Sequence, residues 1–443
     1  MSYNKSLFWL LLLVLAWLPL PYGSNTLWSK GLLIVLVQAI SVLWLLGFAL
    51  GKCQLTPVFR KSTIPLVLLF SLSIWVFIQG DDLAGILPAS LVFDVFATRL
   101  SFWLTLSYSL LFALVLLLVT NSKRLKLLGW AFVISGTFQA VFGVLSTLSG
   151  VETLLFSPKE TYFGVATGTY VNRNSFAGCM EMTLAMGMGL LIAQLNDKKA
   201  ASWSEWLLET LKTLMSSKVL LRSALAIMVI GLVVSKSRMG NTAFFSSLML
   251  TGLLYVVLRK KLTRSMVILF VSLIAIDTLI VSQWFGLEKV VNRLEQTSLQ
   301  KETRPNVAEV TLQAIPEHAV TGTGVGSYYT VLPQHHDGSW RGFYDLAHND
   351  FLQFALEFGV PAFALLVLLV LMSAWMAIAT MRKRNNRLFI GMAFSSFMGV
   401  SAIMIHSSVD FNLQIPANAA YFVCLLAMAW VVRYLPSKKS YGR

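Results

Sequence analysis

Long apolar blocks of about 20 residues, cut by short polar loops, run the length of this chain. A helix of roughly 20 residues crosses the ~30 Å hydrocarbon layer of a bilayer. The blocks are continuous and do not alternate apolar with polar residues, so β-barrel patterning is absent. The 443 residues are 56% hydrophobic and 12% charged, too little charge to cover a soluble surface of this size. The expectation is an all-α, polytopic helical membrane protein of about twelve spans, with a large extracytoplasmic loop that contains short helices.

The spans are expected near 6–22, 30–51, 63–79, 101–119, 127–149, 175–194, 221–236, 241–258, 265–284, 361–380, 388–407 and 416–434. The first follows Lys5 as a signal peptide's apolar core would. Pro21-Tyr22-Gly23 offers no small-residue cleavage site, so it reads as an uncleaved span. Four regions follow: spans one to five (1–149), spans six to nine (150–284), an outer loop or lid (285–360), and the C-terminal spans with their tail (361–443).

The net charge of +15 would suggest nucleic acid on a soluble protein. Here the basic residues sit in alternate short loops, which points to topology and not to a nucleic-acid partner. Lys52/Arg60/Lys61, Lys123/Arg124/Lys126, Lys198/Lys199, Arg259/Lys260/Lys261, Arg382/Lys383/Arg384 and Arg433/Lys438/Lys439 mark the cytoplasmic side, with both termini. Asp81-Asp82, 150–174, 285–348 and 407–415 then face outward. Residues 200–215 read as an amphipathic helix on the inner surface. Cys53, Cys179 and Cys424 are scattered and odd in number, supporting neither a disulfide framework nor a metal site.

The polar groups worth chemistry gather on the outward side. All five histidines fall there: His318, His335, His336, His348 and His406. Arg238 sits in the tight turn Ser235-Lys236-Ser237-Arg238-Met239-Gly240, as an interfacial anchor or an anion ligand; Lys236 fits a snorkelling side chain. Arg304 opens a short helix that starts at Pro305 and closes at Pro316. A cation at a helix start opposes the dipole, so it is either solvated or offset by an anion. Arg173 and Asn174 open the sixth span, where an outward helix N-terminus makes an anion site.

His348-Asn349-Asp350 leads a short helix that Gly359 and Pro361 cut from the next span. Asn349 caps it, Asp350 lies in its first turn, and Asp350, Phe354 and Glu357 share a face. His406 to Pro416, including Asp410, is a second polar break: an extended re-entrant piece completing a cleft floor, or a well-bonded outer loop. Gly322-Thr323-Gly324-Val325-Gly326 lacks the Lys-Ser/Thr of a phosphate loop and reads as a flexible turn. His335-His336-Asp337 is set aside as a metal site, since adjacent histidines seldom aim at one ion and no third ligand is evident.

Four segments together resemble the O-antigen ligase and polymerase superfamily of bacterial membrane glycosyltransferases. They are Asn172-Arg173-Asn174, Ser237-Arg238-Met239-Gly240, the helix opened by Arg304 with its glycine turn, and His348-Asn349-Asp350 through Glu357-Phe358-Gly359. The resemblance covers roughly 170–420; the first five spans match only in hydropathy. It implies transfer of a glycan from an undecaprenyl-diphosphate-linked donor to an acceptor hydroxyl, at the periplasmic face of the inner membrane. The acceptor is the lipid A core for a ligase, or another carrier-linked repeat unit for a polymerase. It further implies a metal-independent, inverting reaction with no cofactor and with membrane lipids as surroundings. Arg238 and Arg304 would hold the diphosphate, helped by Arg173 and Asn174, with His348 at the reacting centre. Asn349, Asp350, Glu357, His406 and Asp410 would support it; His348 is a plausible base, and Asp350 or Glu357 could orient the imidazole or take the base role. A polysaccharide flippase would instead place charges mid-membrane in several spans; here such charges are scarce, Glu181 and Asp277 being the main candidates, and the polar groups cluster outside.

Overall fold

A computed structural model of the chain describes residues 3–80, 92–194, 217–259, 304–336 and 344–436. The expected ninth span (265–284), the segment 200–215, Asp81-Asp82, Asp277, Asp337 and the start of the outer loop lie outside the described residues. Every other expected span has its helix.

The described helices are α1 (Tyr3–Trp17), α2 (Leu27–Ala49), α3 (Pro57–Lys61), α4 (Thr63–Gly80), α5 (Val95–Leu118), α6 (Ser122–Leu148), α7 (Arg173–Gln194) and α8 (Ser217–Val234). There follow α9 (Arg238–Arg259), α10 (Arg304–Ala314), α11 (Tyr328–Val331), α12 (Asp350–Phe358), α13 (Val360–Lys383), α14 (Arg387–His406) and α15 (Pro416–Tyr434). Nine described helices are long and apolar enough to cross a membrane; α1 and most of α8 are shorter apolar helices. The described residues hold one isolated β-bridge, Thr153 to Pro158. The chain is thus an all-α, multi-pass membrane protein.

Short polar side chains set the helix starts by accepting the first free backbone N–H groups. Asp94 accepts from Ala97 N (2.8 Å), Asn121 from Arg124 N (3.0 Å) and Asn386 from Leu388 N (2.9 Å). Pro416 occupies the first turn of α15, where no N–H is needed.

Burial sorts the bundle into an inner and an outer set. The apolar window of α7 is 94% buried, that of α15 89% and that of α14 72%, whereas α13 (22%) and α2 (33%) turn most residues outward. Lipid gives no hydrophobic drive between helices, so the inner set relies on close backbone approach. A Cβ on Gly189 would lie 2.1 Å from the Gly391 carbonyl oxygen, and one on Gly391 equally close to that of Gly189. Any side chain at either position would force α7 and α14 apart.

The two loop sets separate to opposite ends of the bundle. At one end Arg124 bonds Asn4, Arg259 bonds the Arg384 carbonyl, Arg384 bonds that of Leu435, and Lys61 lies 5.5 Å above the Tyr434 ring. At the other end sits a small module of α10, α11, α12 and their turns. Its own core is Val307, Val310, Ala314, Tyr328, Val331, Leu332, Ala347 and Leu356.

Four local expectations change. Pro316 does not close its segment: α10 stops at Ala314 and a 3₁₀ turn, Ile315–His318, carries Pro316. Val360 is already helical; the break falls wholly on Gly359, whose φ of +79° and ψ of +154° suit glycine alone. Residues 406–416 are not extended: His406 ends α14, and Asn412–Gln414 form a 3₁₀ turn before α15. Lys236, instead of snorkelling, donates to the Gly164 carbonyl (3.0 Å) and tethers the loop before α7.

Candidate active site

At the module's end of the bundle, a hydrogen-bonded chain joins three separate elements. Ser237, buried just before α9, donates its hydroxyl to Asn174 Oδ1 (2.9 Å). Asn174, in the first turn of α7, donates through its amide to Asp410 Oδ2. Asp410 is 2% exposed, and its other oxygen lies 3.9 Å from His348 Nδ1. The same Ser237 oxygen accepts from Gly240 N (3.2 Å), so it caps α9 while holding Asn174.

His348 is held from several directions. Its ring stands edge-on to Tyr344 (5.8 Å between centroids) and to Phe411 (4.7 Å). Its φ of +50° is left-handed, a conformation that costs a β-carbon-bearing residue about 1–2 kcal/mol. Stored strain of this kind concentrates at functional sites, where neighbours over-determine the geometry. The side chain remains 17% exposed, so part of the imidazole is reachable from outside.

Arg238 is the first residue of α9, not a turn residue as expected; the turn ends at Ser237. Its side chain is exposed. Arg173, half-buried, opens α7 and lies 5.8 Å over the Tyr162 ring. The starts of two long helices, each with an arginine as its first residue, therefore meet through the Ser237–Asn174 bond. Their backbone N–H groups and dipoles favour an anion. Arg304 is placed by its backbone at the start of α10, which packs on α12; its side chain lies outside the described atoms.

The two carboxylates of α12 do other work than expected. Asp350 was a candidate to orient the imidazole. Its Oδ2 instead accepts from Ser407 Oγ (2.6 Å) and Leu413 N (3.0 Å), and its Oδ1 from Gln414 Nε2 (3.3 Å). With Asp350 N donating to the Ser407 carbonyl (2.9 Å), it ties the start of α12 to the loop carrying Asp410. Asn349 caps α12 as expected, accepting from Phe351 N and Leu352 N, and donates to the Ser408 carbonyl (2.9 Å).

Glu357 is wrapped by the glycine turn. Its Oε1 accepts from Tyr328 N (3.1 Å) and Gln353 Nε2 (3.2 Å), and Gly326 adds a backbone bond. Thr323 N and Gly324 N donate to the Leu356 and Glu357 carbonyls (3.0 and 3.2 Å). A Cβ on Gly322 would lie 2.2 Å from the Glu357 carbonyl oxygen. The turn expected to be flexible thus clamps the end of α12; it cradles a carboxylate of its own chain where a phosphate loop would cradle a nucleotide. Asp410 takes the place beside the imidazole expected of Asp350 or Glu357.

His406, expected on the outer side, is fully buried at the end of α14. Its Nδ1 lies 2.6 Å from Glu181 Oε1 on α7, also fully buried. Glu181 therefore braces the helix that leads into Ser407 and Asp410, and is no isolated mid-membrane charge. Asn412 and Asn418 extend the polar layer: Asn418 donates to the Ser175 carbonyl (2.8 Å) and to Asn412 Oδ1 (3.2 Å). Asn412 packs where Gly178 leaves room, since a Cβ there would meet its Oδ1 at 2.0 Å. Ser237, Ser407 and Asn412 stood out only as members of their segments and Asn418 not at all, because their partners lie far along the chain.

Burial pushes Asp350 up to about 7, with the Asp410 charge adding to it against three donors. Burial likewise lifts Glu357 to about 7 despite its donors. An unfolded carboxyl ionises near pH 4, so between about 4 and 7 the folded module binds more protons than the unfolded chain. Its stability is therefore fullest in acid and falls as pH rises through 7. Hydrogen exchange in α12, corrected for intrinsic rates, should accelerate from pH 5 to pH 8. The double variant Asp350→Asn/Glu357→Gln should flatten that rise.

No curated protein matches the chain. Residues 223–367, less than half of the chain, match the family model Wzy_C, described as O-antigen ligase. The matched stretch contains Arg238, Arg304, His348, Asp350 and Glu357, while Arg173, Asn174, His406 and Asp410 join them only through the fold. Over residues 223–367, this multi-pass membrane protein carries a domain of the O-antigen ligase family.

Proposed function

We propose that the protein is an inner-membrane O-antigen ligase, moving a glycan from undecaprenyl diphosphate to an acceptor hydroxyl of the lipid A core or a similar lipid at the periplasmic face. The observation that carries this reading is the Ser237–Asn174–Asp410 chain, which sets the His348 imidazole and the Arg238 end of α9 on one polar layer.

The donor's diphosphate binds at the joined starts of α7 and α9, with Arg238 and Arg173 as cations and Arg304 as a further one. As the bond between the sugar carbon and the phosphate oxygen breaks, its electron pair passes to the diphosphate. Guanidinium groups stabilise that charge through bidentate, charge-assisted bonds. The acceptor oxygen forms the new bond to the same carbon in one inverting displacement, and its proton passes to His348. Asp410 steadies the imidazolium that results. Asp350, Asn349 and the Glu181–His406 pair position the loop that carries Asp410. This displacement uses these residues and no metal or cofactor.

Deletion of the gene is the test of the reaction. The expected result is carrier-linked polymer accumulating with none on the lipid A core, restored by the wild-type gene. Single repeat units without polymer would indicate a polymerase instead, and an unchanged surface glycan would overturn the reading.

A further inference from the structure

Outside the polar layer just described, Glu317, His318 and His335 converge on the small module. Their ligand atoms all lie within 4.8 Å of one another. Glu317 and His318 stand on the 3₁₀ turn Ile315–His318, and His335 ends the 3₁₀ turn Leu332–His335. In the sequence His335 stands beside His336 with no third ligand evident. The fold supplies partners from 17 and 18 positions upstream instead.

The geometry is that of a site set for a cation. Glu317 Oε2 lies 3.3 Å from His335 Nε2. Two ligands at the edge of a tetrahedral zinc sphere, each at about 2.0–2.1 Å, stand ~3.4 Å apart. His335 Nδ1 lies 3.3 Å from the Val331 carbonyl, the backbone acceptor that fixes a ligating imidazole's tautomer and frees its Nε2. The His318 ring is held edge-on to Phe93, 5.3 Å between centroids at 87°. Two imidazoles and one carboxylate suit zinc better than the hard, oxygen-seeking cations.

We propose that Glu317, His318 and His335 bind one divalent cation of the zinc class, with the fourth position open to water. The cation would join the two turns that flank the glycine turn, whose N–H groups hold Glu357 and the end of α12; Gly322 N already donates to the His318 carbonyl (2.8 Å). It braces the module and takes no part in glycan transfer, so its test reads binding and not activity.

The full chain, purified without a histidine tag and stripped with a chelator, is titrated with Zn²⁺ against a chromophoric competitor, and with Co²⁺ for its visible bands. One equivalent of Zn²⁺ should bind and raise the Tm by several degrees. His318→Ala and His335→Ala should lose the equivalent and the Tm shift, and His336→Ala should keep both. Glu317→Gln is the guard against misfolding: the side chain is 63% exposed, and its loss should weaken binding at least tenfold with the apo Tm unchanged. Equal binding by the wild type and the His318/His335 double variant would overturn the site. So would loss of the equivalent in His336→Ala alone.

Discussion

His348→Ala will reduce glycan transfer by about 10²–10⁴-fold, the range a positioned general base contributes, while the protein still inserts and resists heat as the wild type does. The imidazole lies outside the bundle core, so its loss removes the ring contacts to Tyr344 and Phe411 and leaves the packing of the long helices intact. Asp410→Asn tests the partner. Asparagine keeps the size of the side chain, but it lacks the charge that steadies the imidazolium. Its loss should fall mainly on kcat, with KM for the donor little changed. Transfer by purified protein from carrier-linked glycan to a lipid acceptor measures both. Full activity in His348→Ala would remove the proposed base, and a pure KM effect in Asp410→Asn would remove Asp410's role.

Arg238→Ala carries the second large effect, a loss of about 10²–10³-fold, as expected for one donor to a developing negative charge. Arg238→Lys should recover only part of it, because an ammonium is a point charge without the two-pronged fork. The side chain is exposed at the first residue of α9, so neither substitution threatens the fold. Ser237→Ala separates position from charge. It removes both the cap on α9 and the bond to Asn174, and should lower transfer less than Arg238→Ala while also lowering the Tm. Unchanged transfer by Arg238→Ala would place the diphosphate elsewhere.

The spans and their alternation were legible because a bilayer imposes one period and one length on every crossing helix. So were Asn349 as a cap and Gly359 as the break after α12, since both act on immediate neighbours. What the sequence hid are bonds between distant residues. Asn174 meets Asp410 across 236 positions and Glu181 meets His406 across 225, pairings that no local periodicity encodes. Asp350 is a case of the same kind. Its place beside His348 in the chain suggested partnership, but folding brings Ser407, Leu413 and Gln414 to its oxygens and Asp410 to the imidazole. The glycine turn likewise looked loose until Glu357 filled it.

The near-complete enclosure of α7 shields the polar layer from differences between membranes. With 94% of its apolar window covered by other helices, α7 scarcely touches acyl chains. Changes in bilayer thickness act through hydrophobic mismatch on lipid-facing helices, which tilt or bend to compensate. α2 and α13 stand at that boundary and would absorb such tilting. The helix that carries Arg173, Asn174 and Glu181 is insulated from it, so the polar layer keeps its register when lipid composition varies.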